Sequence, residues 1–267
     1  VCELAAQQTL RDELSVFGKL SNMSAAEFQR FIAWTSESTG LTGKNSWLSA
    51  WSLILPFALT AAIAGQVSGV IPYPLWLLII VANMGIFQWR GKQIEATIEQ
   101  VSETRGAFLP YAGLFAYLRE QRFAAPLLRD AHDALAAVSG LADERLRVLG
   151  RIMMFGDARR SVIGPALQLG LLWDVHTLRM LESWRARSGA QAPQWFALLA
   201  EIEALSGLAT LSYDNPSWTF PTVTDTAEKG AARLEARALG HPLLPPEGCV
   251  RNYVMIGPSG TFLLVTG

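Results

Sequence analysis

Between Lys44 and Arg90 the chain carries no Asp, Glu, Lys or Arg. Nothing else in the sequence restricts the possible folds so strongly. The stretch divides into two apolar runs, residues 47–65 (WLSAWSLILPFALTAAIAG) and 72–89 (PYPLWLLIIVANMGIFQW). As helices rising about 1.5 Å per residue, each covers most of a hydrocarbon core of about 30 Å. The uncharged linker Gln66-Val67-Ser68-Gly69 is short, so the pair predicts a helical hairpin whose tip crosses a bilayer at little cost. A hairpin buried in a soluble core is the alternative, although such a core rarely needs so long a run without a charge.

The flanks support the membrane reading. Lys44 precedes the first run, Arg90 and Lys92 follow the second, and the tip has no cation, which by the positive-inside bias puts both ends in the cytoplasm. Trp47 and Trp89 are expected at one interface, and Tyr73 and Trp76 at the other. Pro72 and Pro74 are expected in a first helical turn, where a missing N–H costs little. Pro56 is interior and predicts a kink. The localisation expected is the bacterial cytoplasmic (inner) membrane, with lipid around residues 47–89 and the soluble parts cytoplasmic.

Composition fits a chain with a small membrane segment. Of 267 residues 51% are hydrophobic, and mean hydropathy is +0.24. The net charge of −1 gives bulk electrostatics no case for nucleic acid or anionic lipid. Cys2 and Cys249 stand far apart and near nothing resembling a metal site, as in a reducing compartment. Glu3, Arg11, Asp12 and Glu13 exclude a signal peptide at the start. Both ends read as cut from a longer protein.

Residues 1–43 are expected to be helical. Leu4, Leu10, Leu14 and Phe17 have helical spacing, with Gly18 a candidate helix end, and Ser24-Ala25-Ala26-Glu27 is a capping box ahead of Phe28, Phe31, Ile32 and Trp34. After the hairpin region, 44–91, a helical core or lever is expected over 92–212. Ile94, Ile98, Val101, Arg105, Phe108, Ala112 and Phe115 form a helix-packing seam broken only by Arg105, with Pro110 expected to kink or split the helix. Helices are predicted over 126–138, 143–155, 165–187 and from Pro193, the last with an apolar face of Trp195, Leu198, Leu199, Ile202, Leu205 and Leu208. Asp174, His176 and Arg179 argue against a further membrane span at LQLGLLW. From Tyr213 the character changes to short strands over 233–239, 249–256 and 261–265, punctuated by Gly and Pro. The fold class expected is mainly α, with the first strands of an α/β domain at the end.

Thr266-Gly267 after the apolar run 261–265 could open a phosphate-binding turn. By itself a strand followed by Thr-Gly is a weak signal. His241 is expected to shape a turn before Pro242, and a Cys249–His241 nucleophile and base pair lacks any orienting third group. Arg159-Arg160 is a basic pair, expected as a solvated helix end rather than a phosphate contact, and Asp174 and His176 are expected to make interhelical hydrogen bonds.

The final stretch, LEARALGHPLLPPEGCVRNYVMIGPSGTFLLVTG, resembles the approach to the nucleotide site in the MutS family of mismatch-repair ATPases. The order of His241-Pro242, Asn252 and Thr266-Gly267 carries the likeness. LLAEIEALSGLATLSYDNPSWTFP and VCELAAQQTLRDELSVFG resemble that family's helical core, and the hairpin, with LLWDVHTLRMLESWRARSG, is similar to a bacterial branch in which a membrane hairpin interrupts the core. The resemblance implies ATP as cofactor, with Mg2+ held by residues beyond Gly267, and a homodimer formed through the ATPase domain spanning 213–267 and beyond. It implies Val250 and Asn252 as adenine contacts, with Cys249 in place of the usual aromatic, and Thr266 and Gly267 at the start of the phosphate loop. Asn252 reads equally as a turn cap through its side chain. Without the phosphate-loop Lys and the downstream acidic residues the stretch itself is expected to be inactive as an ATPase. DNA and mismatch binding are implied by the family alone, since no basic, aromatic-interleaved patch is present. The rival readings are a non-enzymatic membrane scaffold and an ATPase that moves a membrane partner instead of DNA.

Overall fold

The computed structural model of the protein describes residues 1–21, 23–37, 46–102, 105–139, 142–223, 233–242, 244–245 and 247–264. It divides into two compact units, Val1–Pro216 and Ser217–Gly267.

The first unit is helical throughout. Its elements are α1 Cys2–Ala6, α2 Gln8–Ser21, α3 Ala25–Ser36, α4 Ser46–Val67, α5 Leu75–Ser102, α6 Arg105–Glu120, α7 Pro126–Ser139, α8 Ala142–Asp157, a 3-10 turn Ala158–Arg160, α9 Gly164–Leu171, α10 Trp173–Ser188 and α11 Ala192–Asp214. The capping box forms as the sequence predicts. Ser24 Oγ accepts from the Glu27 N–H at 3.2 Å, and the Glu27 carboxylate accepts from the Ser24 N–H at 2.7 Å. A second cap comes from far away in sequence: the Glu3 carboxylate accepts from the N–H groups of Ala124 and Ala125, each at 2.7 Å. It places negative charge at the N-terminal end of α7, where the helix dipole favours it.

The core lies where these helices meet. Ile94, Ile98, Val101, Phe108, Ala112 and Phe115 are all buried, so the seam read from the sequence packs inward. Around it Phe31, Trp34, Trp184 and Phe196 form an aromatic cluster, with Trp34 and Trp184 stacked at 6.0 Å. The Trp184 N–H donates to the Arg145 carbonyl at 2.7 Å, which satisfies the indole inside the core.

Several sequence expectations need correction. Gly18 does not end a helix, because α2 continues through it to Ser21, and the first break comes instead at Gln7. Pro110 lies inside α6, which continues through it to Glu120, so the proline does not split the helix. The single helix expected over 165–187 is two, separated at Leu172 in the left-handed region with φ 52°. Pro72 and Pro74 precede α5 rather than occupying its first turn. A proline disfavours helical backbone in the residue before it, which keeps Ile71 and Tyr73 out of the helix, and Tyr73 bends the approach, its carbonyl accepting from the Leu75 N–H at 2.9 Å.

Trp47–Val67 and Ala192–Asp214 are long and apolar enough to cross a membrane. They differ in surroundings. In Ala192–Asp214 the residues Trp195, Phe196, Leu199, Ile202 and Ala209 are buried in the helical core. In the hairpin Leu48 and Leu55 are buried, but several large side chains point outward: Phe57 is 78% exposed, Leu78 68% and Val81 65%. The second hairpin arm is shorter than the sequence suggested. Since α5 begins at Leu75, only residues 75–89 precede Arg90, a rise of about 22 Å. The two arms are held together by Trp47 stacked on Trp89 at 6.4 Å and by a hydrogen bond from Trp76 Nε1 to Gln66 near the tip. Lys44 lies outside the described residues.

In the second unit β1 Leu234–Leu239 and β2 Asn252–Ile256 pair antiparallel, Leu234 opposite Ile256 and Ala236 opposite Val254, with an irregularity between Ala236 and Leu239. Residues 261–264 form no strand, contrary to the sequence reading, and Phe262 and Leu264 are exposed. A strand requires a neighbour for its ladder, and among the described residues none pairs with this run.

Candidate functional site

Two groups of residues merit a functional reading, one in each unit. In the first unit, charge concentrates where the hairpin leaves its apolar stretch. The seam buries one face of α5 and leaves Glu95 and Glu99, one helical turn apart, toward the 3-10 turn after α8. Arg159 reaches Glu99 at 2.9 Å, Glu95 at 3.8 Å and Asp174 at 3.6 Å, while Arg160 reaches Glu99 at 2.9 Å. Arg159 is therefore not the solvated helix end expected, whereas Arg160 is exposed while paired with Glu99. Arg159 has only 13% of its side chain exposed and ties α5 to α10.

Asp174 is nearly covered, and among the described residues its Oδ1 has no hydrogen-bond partner. Burial raises its pKa above the ordinary carboxylate value, Arg159 opposes the shift, and Glu95 adds to it. His176, two residues on, lies against the Ser52 and Leu171 backbone; burial and then Arg179 hold its pKa below the usual imidazole value, so it is neutral near pH 7.

Within the hairpin the structure adds a residue that the sequence reading passed over. Asn83 is fully buried in the apolar run of α5. Its Nδ2 donates to the Leu169 carbonyl of α9 at 2.7 Å, and its Oδ1 accepts from Trp51 Nε1 at 3.3 Å. A lone amide in a run of Leu, Ile and Val was the available signal, since polar groups at such positions usually have a partner. Asn83→Leu removes both hydrogen bonds while keeping the branched shape and heavy-atom count of the side chain. It is expected to lower stability by about 1–2 kcal/mol, read as a drop in the thermal midpoint in detergent; an unchanged midpoint would mean that this amide does not hold α9.

In the second unit, the residues expected at a nucleotide lie at one edge of the two-stranded sheet. Asn252 opens β2 opposite Leu239, and Val250, two residues earlier, is 77% exposed. Asn252 is also exposed. Cys249 Sγ lies 3.9 Å from the carbonyl oxygen of His241 rather than forming a nucleophile and base pair with the ring. It sits over Gly240, where an added Cβ would come within 2.8 Å of the sulfur. An apolar side chain and an amide are thus both accessible there. Thr266 and Gly267 lie outside the described residues. Among the described residues no group of three His, Cys, Asp or Glu side chains is placed to hold a metal ion.

Compared with protein-family models, curated proteins and solved structures, the chain has no match in any of the three.

Proposed function

We propose that this chain is the helical core and the entrance to the nucleotide-binding domain of a membrane-anchored, MutS-like ATP-binding protein. The observation that carries the anchored half is the hairpin itself. Its two arms turn large apolar side chains such as Phe57, Leu78 and Val81 outward, while its charged end is tied into the helical core through Arg159, which bridges Glu99 and the buried Asp174. Leaving so contiguous an apolar surface in water is unfavourable, and lipid removes that cost. Lys92 and Arg90 at the charged end support, by the positive-inside bias, a cytoplasmic position for that end at a bacterial inner membrane.

The nucleotide half rests on the sequence order of His241-Pro242, Asn252 and Thr266-Gly267. Val250 and Asn252 would face adenine, and Thr266 and Gly267 would lead into the phosphate loop. ATP would supply binding and hydrolysis energy, with Mg2+ neutralising its phosphates. In a homodimer formed through the ATPase domains, closure would pass along the helical lever to DNA or to a membrane partner. Mismatched-DNA binding and repair enter through the family resemblance alone.

Titrating ATP against the full protein in nanodiscs tests this reading. Nucleotide binding is expected, with the dissociation constant rising about tenfold in Asn252→Ala, the loss of roughly one good hydrogen bond. No binding by the intact protein would overturn the ATPase and leave a non-enzymatic membrane scaffold. Duplex-DNA binding that weakens steeply with salt would favour the DNA-acting form over one that moves a membrane partner.

A further inference from the structure

We propose that residues 162–171 are a third lipid-contacting element, entering the apolar layer beside the hairpin; this rests on the membrane reading given above. The segment is charge-free from Ser161 to Trp173, between Arg160 and Asp174. It begins beside the carboxylate cluster, where Arg159 and Arg160 reach Glu99. It ends well inside the hairpin. The Leu169 carbonyl meets Asn83, about two turns before Arg90 and so roughly 10 Å further in, and Gly170 lies against Leu59 of α4, its added Cβ 3.6 Å from that side chain.

Its outer surface is apolar. Val162 is 100% exposed and Ile163 61%, and Pro165 and Ala166 are exposed behind them. Scattered exposed apolar residues are ordinary on a soluble protein. Here the segment packs on both hairpin arms, so its outer face continues theirs and the occupant is the same lipid.

The polar contacts at its far end make independent sense at that depth. A helix C-terminus leaves unsatisfied carbonyls, and hydrocarbon offers no water to satisfy them. Asn83 supplies the Leu169 carbonyl with a donor, and the Leu172 carbonyl accepts from the N–H groups of Val175 and His176. A fully buried amide in the apolar run of α5 is explained by that need.

The test uses the full chain in nanodiscs with Cys2→Ser and Cys249→Ser, and a nitrobenzoxadiazole probe at one introduced cysteine: Val162→Cys, Ala166→Cys, Phe57→Cys on the hairpin or Met154→Cys on the exposed surface of α8. All four positions are exposed, so labelling leaves the core intact. The expected result is blue-shifted emission and quenching by lipid-borne nitroxide at Val162 and Ala166, as at Phe57, with Met154 quenched by aqueous iodide. Iodide quenching at Val162 and Ala166, with lipid quenching retained at Phe57, would overturn this inference and leave the hairpin anchored. Iodide quenching at Phe57 as well would overturn the membrane reading and this inference together.

Discussion

Replacing Arg159 with methionine is expected to cost about 3–5 kcal/mol, the range for removing one partner of a buried ion pair. The guanidinium is largely covered and is the cation nearest Asp174, at 3.6 Å. Without it Asp174 stays in its buried position with no compensating charge. Glu99 is half exposed and keeps Arg160 at 2.9 Å, so the loss falls mainly on Asp174. The double variant Arg159→Met/Asp174→Leu is therefore expected to recover most of the deficit, because buried ion pairs replaced by apolar groups of similar volume are often neutral. Thermal unfolding of the four proteins of this cycle in detergent checks it. A single variant as stable as the parent would mean that the ion pairs do not join α5 to α10.

The pH dependence follows in sign. Burial raises the folded Asp174 pKa above its ordinary value, so as pH rises the unfolded chain releases this proton first. The folded state then binds more protons, and stability from this group falls as pH rises from the ordinary carboxylate range through the folded value. Arg159→Met widens that interval by removing the opposing charge. Its deficit against the parent is expected to be greatest near neutral pH and to shrink once the medium is acid enough to protonate Asp174 in both states.

What the sequence disclosed, and what it did not, divides by range. The hairpin was legible because the absence of charge over residues 45–89 is a local property. So was the capping box at Ser24 and Glu27, whose chemistry lies within one turn. The seam from Ile94 to Phe115 was legible through its period, although not the uninterrupted course of α6 through Pro110. Leu172 was not. Leucine has no preference for the left-handed region, and its conformation there goes with a contact fixed only after folding, the Asp174 N–H donating to Gln168 Oε1 at 3.1 Å. The apolar run at 261–264 read as a strand because local pattern cannot supply the partner that a ladder needs.

The same division runs through the candidate sites. Arg159-Arg160 was visible as a basic pair, but its carboxylate partners stand about sixty residues away on α5, and nothing nearby marks them. Glu95 and Glu99, one turn apart just past Arg90 and Lys92, were the only hint of a face that takes cations. Val250 and Asn252 have no periodicity or spacing that selects them, and they enter through resemblance of the surrounding residues.

Gly164→Ala is expected to destabilise the protein by more than about 3 kcal/mol, at or beyond the upper end of the usual cost of overpacking. A Cβ at this position would stand 1.9 Å from the carbonyl oxygen of Arg159 and 2.6 Å from its carbonyl carbon. The obstacle is backbone and cannot rotate aside, so either α9 or the 3-10 turn has to move. Moving the turn displaces Arg159 from Glu99 and Asp174; moving α9 draws the Leu169 carbonyl away from Asn83. Gly18→Ala is the matched control. Gly18 is exposed within α2, with nothing within 4 Å of an added Cβ, and the change is expected to stabilise by about 0.5–1 kcal/mol through helix propensity. Thermal midpoints in detergent should move in opposite directions, down for Gly164→Ala and up for Gly18→Ala. A Gly164→Ala midpoint equal to the parent's would contradict the tight turn from Arg159 to Gly164, and with it the path by which the carboxylate cluster on α5 holds α9 against the hairpin.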